Sequence, residues 1–243
     1  RLAMIDIHNH VLAGIDDGPQ QWQHSIAMLE QAKAQGISHV VVTPHLHFGR
    51  FDNTQPVVAQ SFARLQQAIR EQQLDIHVAF ASEVRIDSQI MAALSRDLIA
   101  LFHGQGPERA ILLELPHSHV PLGADKLITW LNRQGLTVVL PHPERNREIK
   151  AKPHLLARFK RLGCLIQVTA GSLLGDFGDD SEKLAVHWLE QGEVDLIASD
   201  AHSCERRPFR LAQARERSEQ LVGKELAQRY TKENPWRLCQ GLF

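Results

Sequence analysis

The sequence predicts an α/β fold built on a parallel β-sheet, open or closed into a barrel. Three observations predict it: short apolar runs alternate with longer segments of helical spacing, glycines mark the return from helix to strand, and polar residues collect where the runs end. The runs lie at 4–8, 37–43, 76–82, 110–115, 136–141, 164–169 and 194–199. Their near-continuous Val, Ile and Leu content suits strands covered on both faces. Between them, Trp22, Ile26 and Leu29, and again Phe62, Leu65 and Ile69, recur at spacings that share one helix face. The junctions Gln35-Gly36-Ile37, Gln134-Gly135-Leu136, Leu162-Gly163-Cys164 and Gln191-Gly192-Glu193 place glycine where a helix stops, as a left-handed cap requires. No Ser/Gly/Pro-rich linker interrupts the pattern, so one domain is expected over 1–243. Within it, 47–56 is an irregular candidate active-site loop and 208–243 forms terminal helices.

A chain of 243 residues buries roughly 70–75% of its unfolded surface and needs no disulfide or structural metal to hold its core. With 27 Lys+Arg against 28 Asp+Glu and no run of five like charges, it carries no footprint for nucleic acid or an anionic membrane. No stretch approaches the ~18 apolar residues of a membrane span, and Arg1 to His8 hold no secretory apolar core, so no membrane insertion is expected. Three scattered cysteines, Cys164, Cys204 and Cys239, suit a reducing compartment, and a cytoplasmic location is expected. The residue in excess is histidine, 14 copies beside a single tyrosine, which calls for a titrating or ligating role.

In parallel α/β folds function gathers at the carboxyl ends of the strands. Here the first run carries His8 and His10, the second leads to His45, the third to Glu83, the fourth to Glu114, the fifth to His142, and the last to Asp200 and His202. Only the sixth, Gln167-Val168-Thr169, brings neither acid nor imidazole. Any one of these residues is explained by capping or by a satisfied surface hydrogen bond. Together they are not, because caps do not explain the histidines and core packing does not explain the acids. His8 and His10, two apart on a strand, project from one face about 6.6 Å apart along the chain, close enough to grip one cation. Asp200-Ala201-His202 repeats that spacing. The donor set lacks thiolate, which suits manganese, iron or zinc, and the central Glu83 and Glu114 could bridge cations about 3.5–4 Å apart. Asp16-Asp17-Gly18-Pro19 reads as a turn and helix start at the same mouth, where a further carboxylate could complete a cation's shell. Arg145 and Arg207 follow ligand-bearing runs and match phosphate oxygens, whereas Arg206 reads as surface charge. Cys204 to Arg210 satisfies the spacing of a cysteine phosphatase loop. Pro208 removes a needed N–H and no glycine is present, so Cys204 is incidental.

These motifs, Met4-Ile-Asp-Ile-His-Asn-His10, Asp16-Asp-Gly-Pro19, Thr43-Pro-His45, Ser82-Glu83, Leu113-Glu114, Pro141-His-Pro-Glu-Arg145, Ala198-Ser-Asp-Ala-His202 and Arg207-Pro208, resemble the PHP (polymerase and histidinol phosphatase) superfamily nearly end to end. The closer likeness is to its bacterial capsule-type branch of metal-dependent protein-tyrosine phosphatases. That resemblance implies a distorted (β/α)7 barrel, seven strands in agreement with the seven runs, and three divalent cations, manganese first. It places His8, His10, Glu83 and Asp200 on one cation, Glu83, Glu114 and His142 on a second, and Asp17, His45 and His202 on a third, with Arg145 and Arg207 on phosphate. It implies hydrolysis of phosphotyrosine by a metal-activated hydroxide without a phosphoenzyme. The implied partner is a tyrosine-phosphorylated protein, the membrane-associated autokinase of capsule or exopolysaccharide assembly; a homo-oligomer stays open. Phe48 and Phe51 stand beside His45 as candidates to flank the substrate ring. His47 is an imidazole beyond the pattern, a rival ligand or general acid. The alternatives are a small-molecule phosphatase of the histidinol-phosphate kind, which keeps the cations and changes the loops, and a non-catalytic PHP interaction module.

Overall fold

The computed structural model describes residues 3–243. Strands β1 (Met4–Asp6), β2 (Ile37–Val42), β3 (His45–Leu46), β4 (His77–Phe80), β5 (Glu83–Arg85), β6 (Phe102–His103), β7 (Arg109–Glu114), β8 (Leu136–Pro141), β9 (Leu165–Thr169) and β10 (Leu196–Ala198) alternate with helices. All seven expected runs form strands. Two of them break and resume: β2 continues as β3 and β4 as β5, so Glu83 opens a short strand instead of closing one. The four junction glycines, Gly36, Gly135, Gly163 and Gly192, all take positive φ.

The strands pair in parallel as β1-β2-β4 and as β10-β9-β8-β7-β5-β3, and among the strands of the described residues only β6 pairs antiparallel, on β7. The two sheets share the interrupted strands, and their outer edges meet beyond β1 and β10. There His10 N–H donates to the Ala201 carbonyl and Asp200 N–H to the His8 carbonyl, both at 2.7 Å. The result is a distorted (β/α) barrel, joined at this seam only near its carboxyl end.

Side chains two apart on a strand share a face, and this explains where the polar residues go. Ile5, Ile7, Val41, Ala81, Ala110, Leu112, Val139, Leu196 and Ala198 pack as one inner cluster, closed below by Leu238 and Cys239. Continuing the same faces by steps of two leads from Val41 to His45, from Ala81 to Glu83, from Leu112 to Glu114 and from Ala198 to Asp200. The inner stripe is therefore apolar at one end and ionisable at the other. The alternate residues, such as Val40, Val42, Ile111, Leu113, Val138 and Leu140, form the larger core under the helices.

Asp6 fastens the seam. One oxygen accepts the Ser199 N–H at 2.8 Å, and the other accepts the Ser199 hydroxyl at 2.6 Å and the Asn9 amide at 3.0 Å, all fully buried. Replacing Asp6 by alanine leaves the Ser199 N–H and one Asn9 amide hydrogen without an acceptor, at about 1–3 kcal/mol for each group not rehydrated, while the Ser199 hydroxyl keeps the His8 carbonyl at 3.1 Å. Calorimetry of Asp6→Ala is expected to show a melting temperature lowered by roughly 5–12 °C; an unchanged value would mean that the seam does not depend on this carboxylate.

Candidate metal centre

At the mouth of the barrel, donor atoms from β1 to β10 converge. His8 Nε2 lies 3.1 Å from Glu83 Oε2 and 3.2 Å from Asp200 Oδ1, and His10 Nε2 lies 3.1 Å from each of the same oxygens. A cation holding nitrogen and oxygen at about 2.0–2.2 Å sets neighbouring donors about 3.0–3.5 Å apart, so this group has the dimensions of a coordination shell. Glu83 is the hub: Oε2 also faces His45 Nδ1 at 3.2 Å, while Oε1 faces His142 Nε2 at 3.0 Å. Glu114 Oε2 lies 3.5 Å from His142 Nε2, and Oε1 accepts from Arg85 Nε at 2.7 Å. On the outer side, Asp17 Oδ1 lies 3.3 Å from His45 Nε2 and 3.2 Å from His202 Nε2.

Among the described residues three groups could each hold an ion: His8, His10, Glu83 and Asp200; His45, Glu83 and Glu114; and His10, Asp17, His45 and His202. The first coincides with the set that the resemblance implied. The second has His45 where His142 was expected, although His142 touches both of its glutamates. The third adds His10. His47 joins none of these groups; its backbone closes a turn with Phe51, and neighbouring Arg85 keeps its imidazole, after burial, below its usual pKa.

Tautomers are fixed from behind. Gln167 Oε1 can only accept, so His8 Nδ1 donates to it at 2.7 Å and Nε2 turns a lone pair into the cluster. Asp16 Oδ2 does the same for His10 Nδ1 at 2.8 Å and also accepts the His45 N–H. The Asp200 carbonyl accepts from His202 Nδ1. Gly18 N–H donates to the other Asp16 oxygen, and its chain passes so close that a Cβ would sit 2.1 Å from the His10 carbonyl oxygen. His8 Nε2, His10 Nε2 and Glu83 Oε2 are buried and have no hydrogen-bond partner. Lone pairs facing one another out of water are a cost that only positive charge relieves. Burial alone would lower the His8 pKa, but Glu83 and Asp200 push it up to about 10, and His10 likewise rises well above its usual value beside Asp16. Burial would raise Glu83 and Asp200, yet the facing imidazoles hold both well below the carboxylate range. The pocket therefore demands cations. The residues fit divalent metal.

Two strand-end residues, His142 at φ 39° and Asp200 at φ 50°, have left-handed backbones, a strained arrangement that concentrates at functional sites. Arg145 Nη1 and Arg207 Nη2 both reach Asp200 Oδ2, at 2.5 and 2.7 Å, while Arg206 is exposed. A cleft of about 660 Å³ opens beside Asp17, His202 and Arg207. A larger one, about 790 Å³, is lined by Met91, Leu122 and Trp130 and by none of the candidate ligands. Phe51 is partly buried and stacks on His45 with ring centroids 5.7 Å apart, and Phe48 packs partly buried against the core. Burial pushes the Cys204 thiol up, the opposite of an activated nucleophile. Sequence reasoning gave Gln167 no role and read Asp16 as part of a turn whose carboxylates could complete a cation's shell, without its hydrogen bond to His10.

The fold and this donor set define a class, a distorted (β/α) barrel whose strand ends carry a cluster suited to several cations. Residues 4–240 match the family model for capsular polysaccharide synthesis, CpsB/CapC, and the chain belongs to that family. Tyrosine-protein phosphatase YwqE of Bacillus subtilis is 35% identical over 224 residues, 92% of this chain and 87% of that protein. Tyrosine-protein phosphatase CpsB of Streptococcus pneumoniae is 24% identical over 241 residues, 96% of each. A solved structure from work on these two proteins, described as unique metal-dependent tyrosine phosphatases, superposes with a TM-score of 0.91 at 32% identity, covering 99% of this chain and 96% of that one. Histidinol phosphate phosphatase of Lactococcus lactis, complexed with zinc, L-histidinol and phosphate, shares the fold at a TM-score of 0.56 and 15% identity, over 93% of this chain and 94% of that one.

Replacing Gln167 by leucine removes the acceptor for His8 Nδ1 at nearly constant volume. Titration calorimetry is expected to show divalent-metal affinity reduced about 10- to 100-fold. Unaltered affinity would show that His8 is not oriented in this way.

Proposed function

We propose that this chain is a metal-dependent protein-tyrosine phosphatase in which His8, His10, Asp17, His45, Glu83, Glu114, His142, Asp200 and His202 hold the cations and Arg145 and Arg207 receive the phosphoryl group. The observation that carries the reading is the convergence of buried, unpartnered donor atoms around Glu83 next to an arginine pair, on a chain of the CpsB/CapC family. Three cations, with manganese preferred over iron or zinc, are supported by three overlapping donor groups without thiolate.

Bound divalent ions in such a cluster supply Lewis acidity and a water acidic enough to attack phosphorus near neutral pH. The chain's own residues do the rest. Asp200 divides its carboxylate, Oδ1 toward His8 and His10 and Oδ2 toward both arginines, and so fixes the arginine pair against the cluster. The Arg207 side chain is partly exposed, and its buried Nε–H has no hydrogen-bond partner. Guanidinium forks match the equatorial oxygens of a transferring phosphoryl group and stabilise charge as it spreads over them. The cleft beside Asp17, His202 and Arg207 has room for an aromatic side chain bearing that group.

The physiological substrate on this reading is the membrane-associated tyrosine autokinase of capsule assembly, supported by the family's link to capsular polysaccharide synthesis. A cytoplasmic site of action is supported by three free cysteines. No helix among the described residues is long and apolar enough to cross a membrane.

Side-by-side hydrolysis of a phosphotyrosyl peptide and histidinol phosphate, before and after chelation, tests the reading. The peptide is expected to be the preferred substrate, with activity lost to chelator and restored by Mn²⁺. Preference for histidinol phosphate would assign a small-molecule phosphatase, and absence of chelator-sensitive hydrolysis would leave an interaction module. Arg145→Ala and Arg207→Ala are each expected to lower kcat/KM by about 10²- to 10³-fold at unchanged metal content.

A further inference from the structure

The wall facing the two arginines comes from a segment that no sequence motif singles out. After β9 the chain makes a short 3-10 helix, Ala170–Leu174, and then the loop Gly175-Asp176-Phe177-Gly178. The Phe177 ring lies against both guanidiniums, with its centroid 4.1 Å from the central carbon of Arg145 and 5.5 Å from that of Arg207. Both fall within the roughly 6 Å at which a ring quadrupole attracts a cation. Two like charges that converge on a single oxygen, Asp200 Oδ2, thus share a second, uncharged anchor on the loop.

The loop itself is locked. Arg210 Nε and Nη2 fork onto the two Asp176 oxygens at 2.9 and 3.1 Å, with Arg210 held at φ 58° at the head of the helix Leu211–Val222. Gly175 and Gly178, at φ 82° and 91°, turn the chain on either side. The loop lies directly on the 3-10 backbone: a Cβ at Gly171 would meet Asp176 Oδ2 at 2.9 Å and Phe177 Cε2 at 3.1 Å. Ring, loop and fork form one contiguous support.

We infer that Phe177 is a positioning residue for phosphoryl binding, its ring holding Arg145 and Arg207 at the spacing that accepts phosphate, with the Asp176–Arg210 fork keeping the ring in place. This rests on the proposed role of the two arginines. An apolar filler would serve equally well as leucine; a quadrupole would not.

The test uses the metal-loaded full chain and reads KM for a phosphotyrosyl peptide together with competitive inhibition by inorganic phosphate. Phe177→Leu is expected to raise both constants on the order of tenfold, through weakened contact with two cations, at unchanged metal content. Phe177→Tyr is expected to stay within about twofold of the unsubstituted chain, and Asp176→Asn to shift both constants in the direction of Phe177→Leu. Constants unmoved by Phe177→Leu, or a Phe177→Tyr variant as impaired as the leucine one, would overturn the role of Phe177 and leave the phosphatase reading intact. If Phe177→Leu does not fold, Asp176→Asn decides, and unchanged phosphate inhibition there overturns the proposal. Arg207→Ala serves as reference: if it leaves phosphate inhibition untouched, the arginine assignment fails and this inference with it.

Discussion

The molecule is organised around one electrostatic requirement, that buried lone pairs pointing at Glu83 be neutralised. Glu114 and Asp200 each offer one oxygen to arginine and the other to imidazole. Glu83 differs: both of its oxygens face imidazoles, and among the described residues no guanidinium is within ion-pair distance of it. An uncompensated carboxylate at this depth would cost several kcal/mol. Protons on His8 and His10 can meet that demand, as their raised pKa values show, but divalent ions meet it with the same atoms and leave the imidazoles neutral.

The barrel supplies the geometry for this requirement. On four of the strand paths, from Val41, Ala81, Leu112 and Ala198, the inward stripe passes from aliphatic to ionisable within two or four residues, so a tightly packed floor supports a polar mouth without a flexible linker between them. Behind the mouth, Gln167, Asp16 and the Asp200 carbonyl accept the outward N–H of three imidazoles, and Asp6 ties the first strand to the last where two donor pairs meet. The left-handed backbones at His142 and Asp200 carry strain that the surrounding hydrogen bonds hold in place.

Much of this was legible in the sequence for a physical reason: in a parallel barrel, strand ends are adjacent in space, so residues that follow apolar runs meet whatever their distance along the chain. That rule found His8, Glu83, Glu114, His142 and Asp200. It did not find supporting residues, whose partners are set by tertiary contact alone; Gln167 and His8 are 159 positions apart, and Asp6 and Ser199 are 193 apart. Asp16 looked like turn chemistry because its short-range role is a turn, and its hydrogen bond to His10 is invisible in spacing. Aromatic placement was the least legible: Phe51 stacks on His45 and Phe48 packs partly buried against the core, while Phe177, on the loop after the sixth run, lies on the arginines without any motif to mark it. The resumption of β2 as β3 and of β4 as β5 was equally hidden, since Thr43-Pro44 and Ala81-Ser82 read as the ends of their runs.

The most direct test of the central claim is anomalous diffraction from crystals of the Mn²⁺-loaded protein, collected on either side of the manganese edge. The account predicts a peak within bonding distance of His8 Nε2, His10 Nε2, Glu83 Oε2 and Asp200 Oδ1. Fully loaded protein whose peaks lie elsewhere, with those four atoms bridged only by protons or water, would contradict it.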